Sequence, residues 1–160
     1  MLQEINKLRL IVSVLICQLA GIIGSVFTVS SIDSWYAAVE KPAFNPPSWV
    51  FSPVWIILYT LMGISLYLVW EEGLERKDVK VGIFVFGIQL ALNALWSILF
   101  FGLQSPYYAF IEIILLWLSI FLTIILFGRI SKTASLLLVP YLLWVSFAAL
   151  LNYQIWVLNP

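Results

Sequence analysis

The sequence predicts an all-α protein, an integral membrane bundle of five transmembrane helices, and three observations lead there. Of its 160 residues, 63% are apolar and only 10% are charged. Several apolar runs reach the roughly 20 residues needed to cross a hydrocarbon core of about 30 Å. Charges, Pro and Gly punctuate these runs and leave their interiors almost entirely apolar. A soluble domain of this length would need a far more polar surface.

The first span is expected over 8–29, too long for the apolar core of a cleaved signal and followed by further spans. The second covers 53–70 and the third 81–102. The fourth covers 106–127 and the fifth 133–157. Pro53 and Pro106 fall at or near first helical turns, where a missing N–H costs nothing. Gly102 and Gly128 stand where helices stop. These spans account for residues 1–160 as a single transmembrane domain with no internal repeat, its first loop being 30–52.

The loops carry the orientation. Lys7, Arg9, Arg76, Lys77, Lys80, Arg129 and Lys132 lie on one side and only Lys41 on the other. That asymmetry puts the N-terminus in the cytoplasm and the first loop and C-terminus outside, as expected for a bacterial plasma membrane. The charges mark loops and form no nucleic-acid-binding field; the run from Glu71 to Lys80 reads as a solvated turn. Cys17 is the only cysteine, and there is no His. No intrachain disulfide is available, the commonest metal ligand and general base are missing, and neither a metal site nor a bound cofactor is expected.

The stretch Trp35–Trp55 holds four Pro and six aromatic residues, which predicts a stiff, aromatic-faced cap over a ligand site. Beneath it, three helical stripes converge in depth: Trp55, Tyr59 and Gly63; Asn93, Trp96, Ser97 and Phe100; Trp144, Ala148 and Asn152. Each mixes flat rings with small or amide residues, the composition of a cavity for a planar apolar ligand. Other roles are open to the same residues. Tryptophans anchor at membrane interfaces, which suits Trp35, Trp70 and Trp156, while Trp96, Trp117 and Trp144 equally suit helix packing. Asn93 and Asn152 equally suit interhelical hydrogen bonds. Glu112 is the one carboxylate inside a span, and Lys41 either snorkels to headgroups or meets a ligand acid. Gly87 and Ala91 form a small-xxx-small pair that fits either a homodimer seam or packing within the monomer.

Trp35-Tyr36, Lys41-Pro42, Phe44 and Pro46-Pro47 continuing to Trp55 resemble the first-loop signature of the TspO/translocator protein family, the tryptophan-rich sensory proteins or peripheral-type benzodiazepine receptors. Ala91–Ser97 and Pro140–Asn152 resemble that family's other two signatures. The resemblance covers essentially the whole chain and implies a five-helix bundle, often dimeric, with a cavity under the first loop. It implies binding of porphyrins or other planar hydrophobic ligands, with Tyr36, Pro46, Trp55, Asn93, Trp96, Trp144, Ala148 and Asn152 as ligand-binding residues. The acid at Glu112 also resembles an acidic position of the family's fourth helix. One departure stands out: no Lys or Arg follows Tyr153, so the sterol pattern attributed to some animal members is absent.

Three functional classes follow. The first is a receptor or sensor that binds tetrapyrroles and takes part in their transport or in stress regulation. The second is a light-dependent porphyrin-degrading enzyme, with Trp55 and Trp144 as electron donors. The third is a secondary transporter, for which inverted repeats or paired intramembrane charges are expected and not seen. With no His for axial ligation, metal-free porphyrin should bind at least as well as haem.

Overall fold

The computed structural model describes residues 6–160, and every regular element among them is helical. Helix α1 (Lys7–Ile32) opens with the Asn6 side chain accepting from the Arg9 amide, and it leads into the short α2 (Trp35–Ala38) of the first loop. A 3₁₀ turn at Ser48–Val50 runs into α3 (Phe51–Glu71), and α4 follows at Lys77–Ser97. Helix α5 (Pro106–Gly128) begins with a Ser105 cap and Pro in its first turn. Helices α6 (Lys132–Leu137) and α7 (Val139–Leu158) complete the chain. Five stretches are long and apolar enough to span a bilayer: Lys7–Ile32, Ser48–Glu71, Lys77–Gly102, Pro106–Gly128 and Lys132–Leu158.

The bundle closes in the order α1, α3, then α6 and α7, then α5, then α4 and back to α1. Its core is apolar: Met62, Val69, Val79, Phe86, Ile120, Phe127 and Tyr141 are buried, and Phe86 stacks on Phe127 at 5.6 Å. The outward faces of α1 and α5 are aliphatic and exposed, as a lipid-facing surface must be.

Two irregularities shape the end that carries the first loop. The fifth span, expected as one helix, is broken at Leu138 into α6 and α7. Pro140 supplies the cause, since it donates no N–H and its ring crowds the preceding turn. Helix α3 therefore packs on α6, where the Ser65 hydroxyl donates to the Ala134 carbonyl at 2.7 Å, and barely touches α7. Rings bridge the space that opens: Phe51 meets Trp144 at 6.1 Å and Trp55 meets Tyr141 at 6.3 Å.

The second irregularity is a π turn at Ile98–Gly102, continuing α4. A wider turn rotates less per residue, so Phe100 and Phe101, adjacent in sequence, both point inward and are buried. The Ser31 hydroxyl donates to the Phe101 carbonyl at 2.7 Å, giving that carbonyl a partner on α1.

Candidate functional site

A cavity of about 460 Å³ lies at the loop end, enclosed by α1, α2, α3, the end of α4 with its π turn, and α7. Helix α3 contributes Ser52, Trp55 and Tyr59, with Trp55 stacked on Tyr59 at 5.4 Å. Helix α4 and the π turn add Trp96, Ser97 and Phe100, the two rings stacked at 5.0 Å. Helix α7 adds Ala148, Leu151 and Asn152.

Hydrogen bonds hold this wall in place. The Trp96 indole donates to Asn152 Oδ1 at 3.0 Å, and Asn152 Nδ2 donates to the Pro106 carbonyl at 2.7 Å. Asn152 thus joins α4, α5 and α7 with one amide. Tyr59, at the cavity edge, donates to Asn93 Oδ1. Asn93 Nδ2 donates to the Tyr141 hydroxyl at 2.9 Å, and Tyr141 donates to Gln89 Oε1 at 2.9 Å. All three bonds point the same way, from the cavity into the core.

The cap sits on Tyr36, which lines the cavity and packs against Phe100 and Phe101. Its hydroxyl donates to Asn45 Oδ1 at 3.0 Å. Burial pushes the Tyr36 phenol up, and the Asn45 bond opposes that only in part. Asn159, just beyond α7, grips Glu40 on both sides: it accepts from the Glu40 amide at 3.0 Å and donates to the Glu40 carbonyl at 2.9 Å. The end of the fifth span is thereby tied to the first loop.

Of the residues singled out from sequence, Tyr36, Trp55, Trp96, Ala148 and Asn152 line one cavity. Asn93 lies beneath it in the polar chain. Trp144 stands one ring behind the wall, against Phe51 and Phe147, and Pro46 belongs to the loop, where its carbonyl accepts from Asn45. Lys41 is engaged locally: its ammonium donates to the Val39 carbonyl at 2.7 Å and sits 4.9 Å from the centre of the Tyr36 ring. Glu112 is buried, lies outside the cavity lining, and has no hydrogen-bond partner among the described residues. Gly87 and Ala91 face outward, and a methyl group at Gly87 would meet nothing within 4 Å.

Sequence reasoning missed the α1 wall, made of Gln18, Gly21, Ser25 and Thr28 among others. A signal was present, because these residues recur at i, i+3, i+7 and i+10 as a small and polar stripe on an otherwise aliphatic helix. Their donor hydrogens are spent inside the protein: Gln18 on Ile56 and Thr60, Ser25 on Ile22, Thr28 on Gly24. No charged side chain among the described residues lines the cavity. It offers aromatic faces, a few acceptor oxygens and no fixed charge.

Fold and site together define a polytopic helical membrane protein built around one aromatic-walled cavity under a tethered loop. The chain belongs to the TspO/MBR family, whose model matches residues 13–157. It is 50% identical over 145 residues to the tryptophan-rich protein TspO of Chlorobaculum tepidum, covering 91% of this chain and 92% of that one. It is likewise 50% identical over 155 residues to the protein of the same name from Archaeoglobus fulgidus, covering 96% and 99%. To the human translocator protein it is 39% identical over 136 residues, covering 84% of this chain and 80% of that one.

Proposed function

We propose that this protein is a membrane receptor or sensor that takes a planar hydrophobic ligand of the porphyrin class into the cavity under its first loop. The observation that carries this reading is the pair of stacked ring couples, Trp55 on Tyr59 and Trp96 on Phe100, lining a single 460 Å³ space. That volume falls within the roughly 300–1,000 Å³ of small-molecule sites. Rings on facing helices suit a flat π system, and Tyr36 and Asn152 add polar atoms to the lining. Because no cation among the described residues lines the cavity, the carboxylates of a porphyrin remain at its mouth. A relative from Cereibacter sphaeroides, 35% identical over 127 residues, carries the name tryptophan-rich sensory protein, in keeping with a sensing role.

The charge asymmetry supports a cytoplasmic N-terminus in a bacterial plasma membrane, with the cavity opening toward the outside. The exposed Gly87 and Ala91 support a homodimer seam along α4. Light-driven porphyrin breakdown is a second reading, favoured by the position of Trp55 in the wall; of the two electron donors it invokes, Trp55 lines the cavity and Trp144 stands one ring behind it.

Tryptophan-fluorescence quenching by protoporphyrin in nanodiscs tests the proposal. Saturable quenching is expected, with affinity falling at least tenfold in Ala148→Phe, which fills the cavity, and unchanged in Trp117→Phe, which lies outside it. Non-saturable quenching, or equal quenching in Ala148→Phe and wild type, would mean partitioning into lipid and end the proposal.

A further inference from the structure

At the opposite end of the bundle, where α4 begins and α5 ends, Arg76, Lys77, Asp78 and Arg129 surround a shallow cleft whose floor is Val81 and Leu126. We propose that this cleft binds the headgroup of an anionic phospholipid, with the acyl chains lying along the α4–α5 surface.

The cations of the cleft are not equivalent. Arg76 is occupied, paired with Asp78 at 2.7 Å and with Glu72 at 3.3 Å, and this pairing also uses up the cleft's one carboxylate. Lys77 and Arg129 make no ion pair and no side-chain hydrogen bond among the described residues, and both are exposed. Two unspent cations therefore border the cleft, Lys77 in the first turn of α4 and Arg129 just past the end of α5. An arginine and a lysine supply the two kinds of donor a phosphate group takes, a planar fork and a point charge.

The floor selects lipid over a soluble phosphate. Below the charged rim the helices close: a methyl group at Gly82 would lie 3.3 Å from both Phe127 and Ile130. Outward from there run Val81, Phe84, Leu122 and Ile125, each at least 40% exposed and all in the membrane-spanning stretches. A soluble anion would leave Val81 and Leu126 wet. A phospholipid covers them with its glycerol and upper acyl carbons while its phosphate meets Lys77 and Arg129. Basic clefts between transmembrane helices at the positively charged face suit such headgroups. The same arrangement gives a use to the charged turn between α3 and α4, which the cavity at the far end leaves unexplained.

Native mass spectrometry of the intact protein, titrated with phosphatidylglycerol or phosphatidylcholine of identical chains, provides the test. One phosphatidylglycerol per chain should be retained in preference to phosphatidylcholine. Lys77→Gln with Arg129→Gln should weaken it roughly 30-fold, taking the usual contribution of a basic residue near an anionic membrane surface twice. Lys7→Gln with Lys132→Gln removes the same charge outside the cleft and should change affinity less than threefold. Glycerol phosphate, the headgroup without chains, should not displace the lipid. Equal weakening by the two double variants would assign the effect to diffuse surface charge and overturn the proposal. So would absence of a phosphatidylglycerol preference, and displacement by glycerol phosphate would make it a soluble-phosphate site instead.

Discussion

Replacing Gly63 by Ala should open the seam between α1 and α3, and the protein carries its own reporter for that event. A Cβ at Gly63 would lie 2.5 Å from Val14 Cα and 2.9 Å from Val14 N, both backbone atoms of α1. Carbon atoms in contact prefer about 3.5–4.0 Å, so the two helices must part by about 1 Å. No rotamer change relieves a backbone clash, so the cost should match other overpacked cores, about 1–3 kcal/mol. At about 1.4 kcal/mol per tenfold, the open population rises roughly 5- to 150-fold. Cys17 is the only cysteine, is fully buried, and lies one turn from Val14 on the same helix. Its alkylation by a membrane-permeant maleimide in nanodiscs reports the opening directly. Labelling in Gly63→Ala should accelerate by that factor, while Gly87→Ala, whose new methyl group meets nothing within 4 Å, should label no faster than wild type. A wild-type labelling rate in Gly63→Ala, or equal acceleration in Gly87→Ala, would refute the reading that the missing side chain at Gly63 lets α3 seat against the α1 backbone.

Two further outcomes probe the polar chain and the loop. Tyr141→Phe removes the link between Asn93 and Gln89 and leaves buried polar atoms unpaired, which should cost about 2 kcal/mol and lower the thermal midpoint in detergent. Tyr67→Phe is its control, a buried phenol with no hydrogen bond among the described residues, and should leave the midpoint nearly unchanged. Asn159→Ala deletes the two-sided grip on Glu40, worth about 1 kcal/mol for exposed hydrogen bonds, and should raise hydrogen exchange at the Glu40 amide roughly fivefold. In the same variant ligand association and dissociation should both quicken, and unchanged exchange would separate the tether from the loop's stability.

The number, order and approximate ends of the spans were legible in the sequence because membrane insertion is governed by local quantities. A run of apolar residues of the right length spans, and charges and Pro end it, whatever the neighbouring helices do. The helical stripes were legible for the same reason: Trp55 with Tyr59, Trp96 with Phe100, and Ala148 with Asn152 follow from 3.6-residue periodicity alone. Where each stripe ends up depends on its partners. Trp144 shares a stripe with Ala148 and Asn152, yet Phe51 arrives from α3 and stands between it and the cavity. Asn93 shares one with Trp96, yet Tyr59 and Tyr141 claim both ends of its amide. The polar stripe on α1 was written in the sequence but stayed inconspicuous, since Gln18, Ser25 and Thr28 are small or polar residues that serve equally well against another helix.

By itself, then, the sequence determined a five-span helical membrane protein with an aromatic, proline-stiffened loop at one end and basic loops at the other. Only the tertiary structure decided that there is a cavity and which faces enclose it. The break before Pro140 keeps α6 on α3 while α7 separates, the π turn brings two adjacent phenylalanines to one side, and Asn159 ties the loop across the opening. Each of these is set by contacts between residues far apart in the chain, so periodicity, which reads only neighbours along one helix, carries no record of them.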